Sequence, residues 1–350
     1  MVESPQGVLD ALVEQSVATA ASAWVGTSRG VLWSGVAGRT RSGRGGALVR
    51  ADTRFDLASL TKPFSATLAR VLAQSKAMAL ALRVGDVWPD SHPTMARATM
   101  EHLLRHRSSL QAWTPLQLRC AKPGDVPNLL TGGALLGGSR PTYSDLGYIL
   151  WSSSVESVLG VSFEAALRTS VLSPLGLERI QPSPGAVRDV AETILDGRRE
   201  HELAAAQKLD LPVRRAPSPG AVQDGNARFL GGLAGHAGLF GDAESVATLG
   251  REWLRPRRLL RPRDVAASIA GPQGAYALGW ARRRVAGSAG PALSAGAFGH
   301  TGSTGTSLWI DPEADLVAVL LAHRTSASSD FNHWRRAFHR SARALAGSRA

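Results

Sequence analysis

Predicted β-strands lie at both ends of this 350-residue chain, and a long, mainly helical segment separates them. Near the start, residues 23–25 and 31–36 have the composition of short strands. Near the end, residues 276–284, 306–310 and 316–322 are predicted strands, and the last two flank a strong hairpin signal, Asp-Pro-Glu-Ala-Asp. We therefore predict an α+β fold, in which N- and C-terminal segments form one antiparallel sheet flanked by helices and a mainly helical lobe is inserted between them.

The places where the pattern changes indicate the boundaries of the two lobes. We predict that residues 1–62 and 271–350 form the sheet lobe, and that residues 63–270 form the helical lobe. Small-molecule sites are common where two such lobes meet, so we expect the active site at their junction. No apolar stretch is long enough to cross a bilayer, and we expect no membrane span.

The N-terminal segment has the pattern of an amphipathic helix. Apolar residues such as Val8 and Leu12 recur at helical spacing. The acidic residues Glu3, Asp10 and Glu14 occupy positions where a secretory signal would be basic or apolar. We therefore expect a cytoplasmic protein, or a periplasmic one if the true start lies upstream.

The positive charge of the chain raises the question of a nucleic-acid partner. The formal net charge is +12 and the pI is near 11.0, but only four of the basic residues are lysines. Such a preference for arginine indicates a compositional bias of the source. The densest basic stretches, residues 255–263 and 282–284, are not interleaved with aromatic side chains that could stack on bases. We interpret them as a solvated helical face and expect no nucleic-acid partner; a site for a polyanion such as nucleic acid is the alternative.

Neither cysteine nor histidine supports a metal or cofactor site. The single cysteine, Cys120, cannot form an intramolecular disulfide, and we favour a small, partly buried apolar role over a thiol nucleophile. His102 and His106 are four residues apart, as in a zinc helix, but Glu101 precedes the pair instead of lying between them. We therefore expect no metal and no cofactor.

Ser59 and Lys62 form a Ser-x-x-Lys element. If a helix begins here, residues three apart share a face, so the hydroxyl and the amine can meet. Serine is a weak nucleophile until a base takes its proton, and a desolvated lysine can be that base. Pro63 fits only if the helix begins close to Ser59, because a proline deeper in the helix would lose a backbone hydrogen bond.

Three segments together resemble the motifs of the serine β-lactamase-like and penicillin-binding-protein-like hydrolases, in the branch of class C β-lactamases and esterases. Residues 55–63 read Phe-Asp-Leu-Ala-Ser-Leu-Thr-Lys-Pro and resemble the active-serine segment. Residues 143–145, Tyr-Ser-Asp, resemble the second motif, and residues 299–306 resemble the Lys/His-Thr-Gly strand. Residues 231–240 resemble a further signature of esterase-like members, and residues 102–110 an altered His-Thr-Ser-Gly-Leu segment.

The resemblance implies a role for each matching position. Ser59 would attack a carbonyl to form an acyl-enzyme, and Lys62 would accept its proton directly or through Tyr143. Tyr143 would need nearby positive charge to ionise near neutral pH. Lys62 and a protonated His300 are the available sources of that charge.

The resemblance also implies a substrate-binding set. The oxyanion would lie between the backbone N–H groups of Ser59 and Ser303. Thr301 and Gly302 would hold the substrate, and the absence of a side chain on the glycine lets a ligand approach the backbone. His236 would line the pocket, although a structural role in its loop is an equal alternative.

Two residues depart from the family pattern. Asp145 replaces an asparagine amide that donates to the substrate carbonyl, and it can instead pair with Lys62. His300 replaces the lysine that usually meets a substrate carboxylate. Both changes favour a small ester or amide with a smaller or neutral acyl group over a penicillin.

The leading interpretation is a cofactor-free serine hydrolase that acts on a small ester, amide or peptide-like substrate. A D-alanyl-D-alanine carboxypeptidase or a β-lactamase is the enzymatic alternative. A catalytically silent binding protein on the same fold is the alternative of another class.

Overall fold

A computed structural model describes residues 4–43, 45–138, 140–184, 189–193, 197–213, 220–271, 274–326 and 330–348. The strands, in chain order, are β1 (Ala18–Thr27), β2 (Gly30–Gly38), β3 (Phe55–Asp56), β4 (Gln181–Pro182), β5 (Leu239–Gly241), β6 (Ala281–Arg282), β7 (Phe298–Thr301), β8 (Ser307–Asp311) and β9 (Leu316–Arg324). The α-helices are α1 (Pro5–Glu14), α2 (Thr61–Gln74), α3 (Val84–Val87), α4 (Pro93–Arg97), α5 (Met100–Leu104), α6 (Val126–Thr131), α7 (Asp145–Leu159), α8 (Phe163–Leu167), α9 (Ser173–Leu175), α10 (Arg198–Ala206), α11 (Gly225–Phe229), α12 (Ala243–Leu254), α13 (Pro262–Ile269) and α14 (Asn332–Gly347).

The main sheet joins the two ends of the chain. Its described strands follow the order β2-β1-β9-β8-β7-β6, and every neighbouring pair is antiparallel. The central contact pairs β1 with β9, for example Val25 with Ala318, which are almost 300 residues apart in sequence. The predicted antiparallel sheet of N- and C-terminal segments is therefore confirmed. A second, smaller sheet has the order β3-β5-β4.

Strand β9 is buried on both faces because helices cover both sides of the sheet. Its alternate residues Val317, Val319 and Leu321 belong to one hydrophobic cluster, which includes residues of α12. The intervening residues, such as Ala318 and Leu320, belong to a second cluster with residues of α1 and α14. A continuous apolar run is typical of a strand in this position.

The predicted strand at residues 276–284 is much shorter in the structure. Only Ala281–Arg282 forms strand β6, because the preceding residues make a tight turn in which Ala277 N–H donates to Trp280 O at 2.7 Å. Gly279 allows this turn, since its φ is +79°. A Cβ on Gly279 would lie 2.1 Å from the Cβ of Ala66, so the turn also packs directly on helix α2.

Helix α2 runs through the interior and carries the Ser-x-x-Lys element at its start. A 3₁₀ turn, Ala58–Leu60, leads into the helix, which begins at Thr61. Pro63 therefore lies in the first turn, where a missing N–H costs nothing, as the sequence predicted. Most of the helix is buried, which places its first turn between the sheet and the surrounding helices.

The predicted lobe boundaries remain a prediction. Helix α12, which belongs to the predicted helical lobe, packs directly on the main sheet: a Cβ on Gly250 would lie within 3 Å of Val317 and Leu308 side-chain atoms.

Candidate active site

Ser59 lies on a strained turn between strand β3 and helix α2. The preceding residue, Ala58, has φ +47°, a left-handed conformation that non-glycine residues rarely adopt. Asp56 supports the turn, because its Oδ1 accepts a hydrogen bond from Ala58 N–H at 2.8 Å. Strain of this kind often accompanies a functional site. The turn leaves Ser59 partly exposed while both its neighbours are buried.

Lys62 is fully buried one helical turn from Ser59. Its Nζ donates to Ser59 Oγ at 2.9 Å, to Asp145 Oδ1 at 2.7 Å and to the backbone carbonyl of His236 at 3.2 Å. The sequence expectation that Asp145 can pair with Lys62 agrees with this geometry. The three acceptors hold the ammonium group beside the serine oxygen.

Tyr143 is the second side chain that contacts the Ser59 hydroxyl. Its hydroxyl donates to Ser59 Oγ at 3.0 Å, so the serine oxygen accepts from both Tyr143 and Lys62. Burial, together with the nearby charge of Asp145, raises the pKa of Tyr143 well above its usual value. Tyr143 is therefore a neutral phenol in this arrangement.

His300 does not supply the positive charge that we expected near Tyr143. Burial and the neighbouring Lys62 lower the pKa of His300 to about 3, so its imidazole is neutral at physiological pH. Its Nδ1 lies 2.9 Å from the carbonyl oxygen of Thr301. Lys62 remains the cation beside the phenol, with its Nζ 4.9 Å from the centre of the Tyr143 ring.

The end of strand β7 lies directly against the Ser59 turn. A Cβ on Gly302 would lie 2.6 Å from the carbonyl oxygen of Leu57 and 2.1 Å from Thr306 Oγ1, so only glycine fits without displacement. Thr306 Oγ1 also donates to Leu57 O at 3.1 Å, which ties the strand to the turn. Ser303 follows Gly302 and is exposed.

His236 contributes its backbone to the site and keeps its ring away from the cleft. The imidazole is buried, and its Nε2 lies 2.9 Å from Asp224 Oδ1. Although burial acts to raise the pKa of Asp224, the adjacent His236 lowers it to about 2. Asp224 also caps helix α11, because its Oδ1 accepts a hydrogen bond from Ala227 N–H at 2.8 Å.

A cleft of about 630 Å³ opens over Ser59. Seven of the predicted site residues line it, whereas Lys62 and the His236 ring lie behind its surface; the seven are Ser59, Tyr143, Asp145, His300, Thr301, Gly302 and Ser303. Sequence reasoning missed several further lining residues, which come from segments without a recognised motif: Glu200, Asp224, Tyr276 and the arginines Arg198, Arg199, Arg282, Arg284, Arg324 and Arg335.

The arginines of the cleft change the interpretation of one basic stretch. Arg282 belongs to strand β6, and both Arg282 and Arg284 line the cleft, so residues 282–284 are not a helical face. Alternation along an extended segment could have indicated this, because it directs the side chains of residues 282 and 284 to the same side.

Within the described ranges, no group of three or more His, Cys, Asp or Glu side chains is arranged to hold a metal ion. No helix among the described residues combines the length and the apolar composition needed to cross a bilayer.

Comparison with known proteins places the chain in a family. A family model described as Beta-lactamase matches residues 8–341. The chain belongs to the beta-lactamase family. A putative D-alanyl-D-alanine carboxypeptidase of Salmonella heidelberg (strain SL476) is 31% identical over 206 residues, an alignment that covers 53% of this chain and 46% of the relative. The chain thus matches about half the length of this curated relative.

Solved structures agree with the beta-lactamase family fold. EstCE1, described as a hydrolase with promiscuous acyltransferase activity, superimposes with a TM-score of 0.76 at 20% identity, covering 96% of this chain and 97% of the other. A class C β-lactamase from Rhodobacter sphaeroides gives a TM-score of 0.72 at 19% identity, with coverages of 96% and 97%. At these identities the likeness concerns the fold. The proteins similar to this chain are thus named as a hydrolase with acyltransferase activity, a class C β-lactamase and a putative D-alanyl-D-alanine carboxypeptidase.

Proposed function

We propose that this protein is a serine hydrolase that forms an acyl-enzyme at Ser59 and hydrolyses a small ester or amide. One observation carries the proposal: Ser59 Oγ accepts hydrogen bonds from both Lys62 Nζ, at 2.9 Å, and Tyr143 OH, at 3.0 Å, beneath an open cleft. A hydroxyl within direct proton-transfer distance of a buried amine and a phenol is the arrangement that nucleophilic catalysis requires.

In the proposed acylation, Ser59 Oγ forms a bond to the substrate carbonyl carbon while its proton passes to a neutral Lys62. The negative oxygen of the tetrahedral intermediate is held by the backbone N–H groups of Ser59 and Ser303. The bond to the leaving group then breaks as Tyr143 donates its proton to that group, and Lys62 returns a proton to Tyr143. Water completes the cycle by attacking the acyl carbon with the same groups acting in reverse.

The Lys62–Asp145 contact lies next to the reacting oxygen. Asp145 Oδ1 accepts a hydrogen bond from Lys62 Nζ at 2.7 Å. Lys62 must be neutral in order to accept the proton of Ser59.

The test is covalent labelling with a fluorophosphonate, followed by mass mapping of the modified residue. We expect one label at Ser59, loss of labelling in Lys62→Ala, and normal labelling in Lys76→Ala, which removes an exposed lysine. Ester turnover that survives Ser59→Ala would contradict the catalytic assignment. Absence of both labelling and turnover in the intact protein would instead favour a silent binding protein.

The relatives named as putative D-alanyl-D-alanine carboxypeptidases favour a second candidate function. A fluorescent penicillin separates the two candidates. Stable trapping of the penicillin at Ser59 would support the carboxypeptidase, whereas no trapping together with ester turnover would support the esterase. The neutral His300, in place of a lysine that meets a carboxylate, favours the second outcome.

A further inference from the structure

The chain contains three tyrosines, and the rings of all three surround one buried imidazole, that of His106. The ring centres of Tyr143, Tyr276 and Tyr148 lie 4.5, 4.9 and 5.2 Å from the centre of the His106 ring. These distances are those of direct aromatic contact. The proposed catalytic phenol, Tyr143, thus contacts a histidine that is not among the predicted site residues.

His106 also holds the backbone that carries the site. Its Nδ1 accepts a hydrogen bond from Ser144 N–H at 2.9 Å. Ser144 lies between Tyr143 and Asp145, and it caps helix α7, because its Oγ accepts from Gly147 N–H at 3.2 Å. One imidazole therefore contacts the Tyr143 ring and fixes the peptide group that follows it.

The chemical state of His106 suits this role. Burial, followed by the nearby positive charge of Lys62, holds the pKa of His106 well below its usual value. An unprotonated Nδ1 is needed to accept from an N–H group. The backbone of His106 has φ +57°, a conformation in which histidine and asparagine are more common than other non-glycine residues.

We propose that His106 is a positioning residue for the reaction at Ser59. It holds Tyr143 within reach of the serine hydroxyl and Asp145 within reach of Lys62. This inference rests on the proposed function, and it gives a role to the altered segment at residues 102–110. The residues that follow His106 in this segment depart from the family pattern, but the imidazole makes the contacts described above.

Three variants test the proposal. His106→Leu removes both the acceptor and the aromatic ring. His106→Asn restores an acceptor at a similar position and tolerates the left-handed backbone. His102→Leu is the matched control, because His102 likewise accepts a backbone hydrogen bond through Nδ1, from Thr99 N–H at 3.1 Å, but is exposed and serves in the N-terminal cap of helix α5.

Two measurements distinguish positioning from general loss of structure. The first is kcat for a p-nitrophenyl ester per active site, with sites counted by end-point fluorophosphonate labelling of Ser59. The second is hydrogen–deuterium exchange of the Ser144 amide, which reports the contact with His106 whether or not the protein turns over an ester. Failure of the proposed function would abolish the first signal in the wild type and leave the second intact.

We expect His106→Leu to lower per-site kcat by ~100-fold with KM changed less than ~3-fold, since small displacements of catalytic groups have effects of this size. Exchange of the Ser144 amide should accelerate in the same variant. His106→Asn should recover at least ~10-fold of the lost kcat and restore slow exchange. His102→Leu should match the wild type in both measurements.

An unchanged per-site kcat in His106→Leu, or a loss that His106→Asn does not relieve, would overturn the proposal. If His106→Leu does not fold, His106→Asn decides alone. In that case, a per-site kcat of His106→Asn within ~30-fold of the wild-type value, together with slow exchange of the Ser144 amide, supports the positioning role. A larger loss of kcat while the Ser144 amide still exchanges slowly refutes it.

Discussion

The carboxylate of Asp145, 2.7 Å from Lys62 Nζ, is the residue-level feature that most affects how Ser59 can be activated. An amide at this position would donate a hydrogen bond to substrate. The carboxylate instead accepts from the ammonium group, and Lys62 is fully buried, so solvent does little to weaken the interaction. The side chain at position 145 thus determines which group, besides Ser59, the amine of Lys62 contacts.

Tyr143→Phe should lower kcat for ester hydrolysis by ~10²–10⁴-fold with little change in KM, which is the usual effect of removing a general acid or base. Fluoride can leave without a proton from the phenol, so fluorophosphonate labelling of Ser59 should slow much less. Steady-state kinetics and labelling rates measure the two effects. Equal losses in both would mean that the phenol acts on Ser59 itself and not on the leaving group.

At the scale of elements, the site forms where the end of strand β7 meets the 3₁₀ turn before helix α2. Gly302 permits this contact, and Thr304 and Thr306 reinforce it by donating to the carbonyl oxygens of Asp56 and Leu57. Both partners are short, so their separation depends on a few contacts such as these two hydrogen bonds. This contact controls the distance between the backbone of Ser303 and Ser59.

Gly302→Ala should lower the per-site kcat. The added Cβ would lie 2.1 Å from Thr306 Oγ1 and 2.6 Å from Leu57 O, so the strand end must move away from the turn. We expect a loss of ~10–100-fold in per-site kcat, as one donor to the oxyanion is displaced. Gly45→Ala is the control, because a Cβ there meets no atom within 4 Å. Equal kcat in the two variants would contradict a contribution of this strand end to catalysis.

At the scale of the whole molecule, several histidines are buried as neutral groups. Burial lowers the pKa of His323 and of His339 to about 4 and that of His300 to about 3. Each therefore binds a proton more readily in the unfolded chain, where its pKa is near 6.5. Each contributes stability that is complete above pH 6.5 and is lost as the pH falls toward its folded pKa.

His339→Gln should make stability less sensitive to acid. Between about pH 6.5 and pH 4, one such histidine contributes a slope of about 1.4 kcal/mol per pH unit, which the neutral amide lacks. Urea unfolding at pH 7, 6 and 5 measures the difference between the two slopes. Burial raises the pKa of Asp56 to about 6, so Asp56 contributes a slope of opposite sign. This contribution is the same in the wild type and the variant, and it does not affect the difference between their slopes. Parallel slopes would show that His339 is not buried in its neutral form.

The local part of the fold and of the site was predictable from the sequence because it depends on short spacings. Two positions three residues apart on a helix meet wherever that helix forms, and Pro63 indicated where it begins. The apolar run of β9 and its hairpin were likewise readable, since both are properties of neighbouring residues. The resemblance to known motifs extended this prediction to Tyr143 and to residues 299–306.

Only the tertiary structure decided how these parts act on one another. The neutral state of His300, the interior position of the His236 ring and the cluster around His106 all depend on burial by segments that are distant in the chain. Desolvation changes charge states and excludes side chains from the cleft, and no local pattern encodes it. Local spacing therefore determined that Ser59 and Lys62 can meet, whereas packing determined which groups carry charge and which face the cleft.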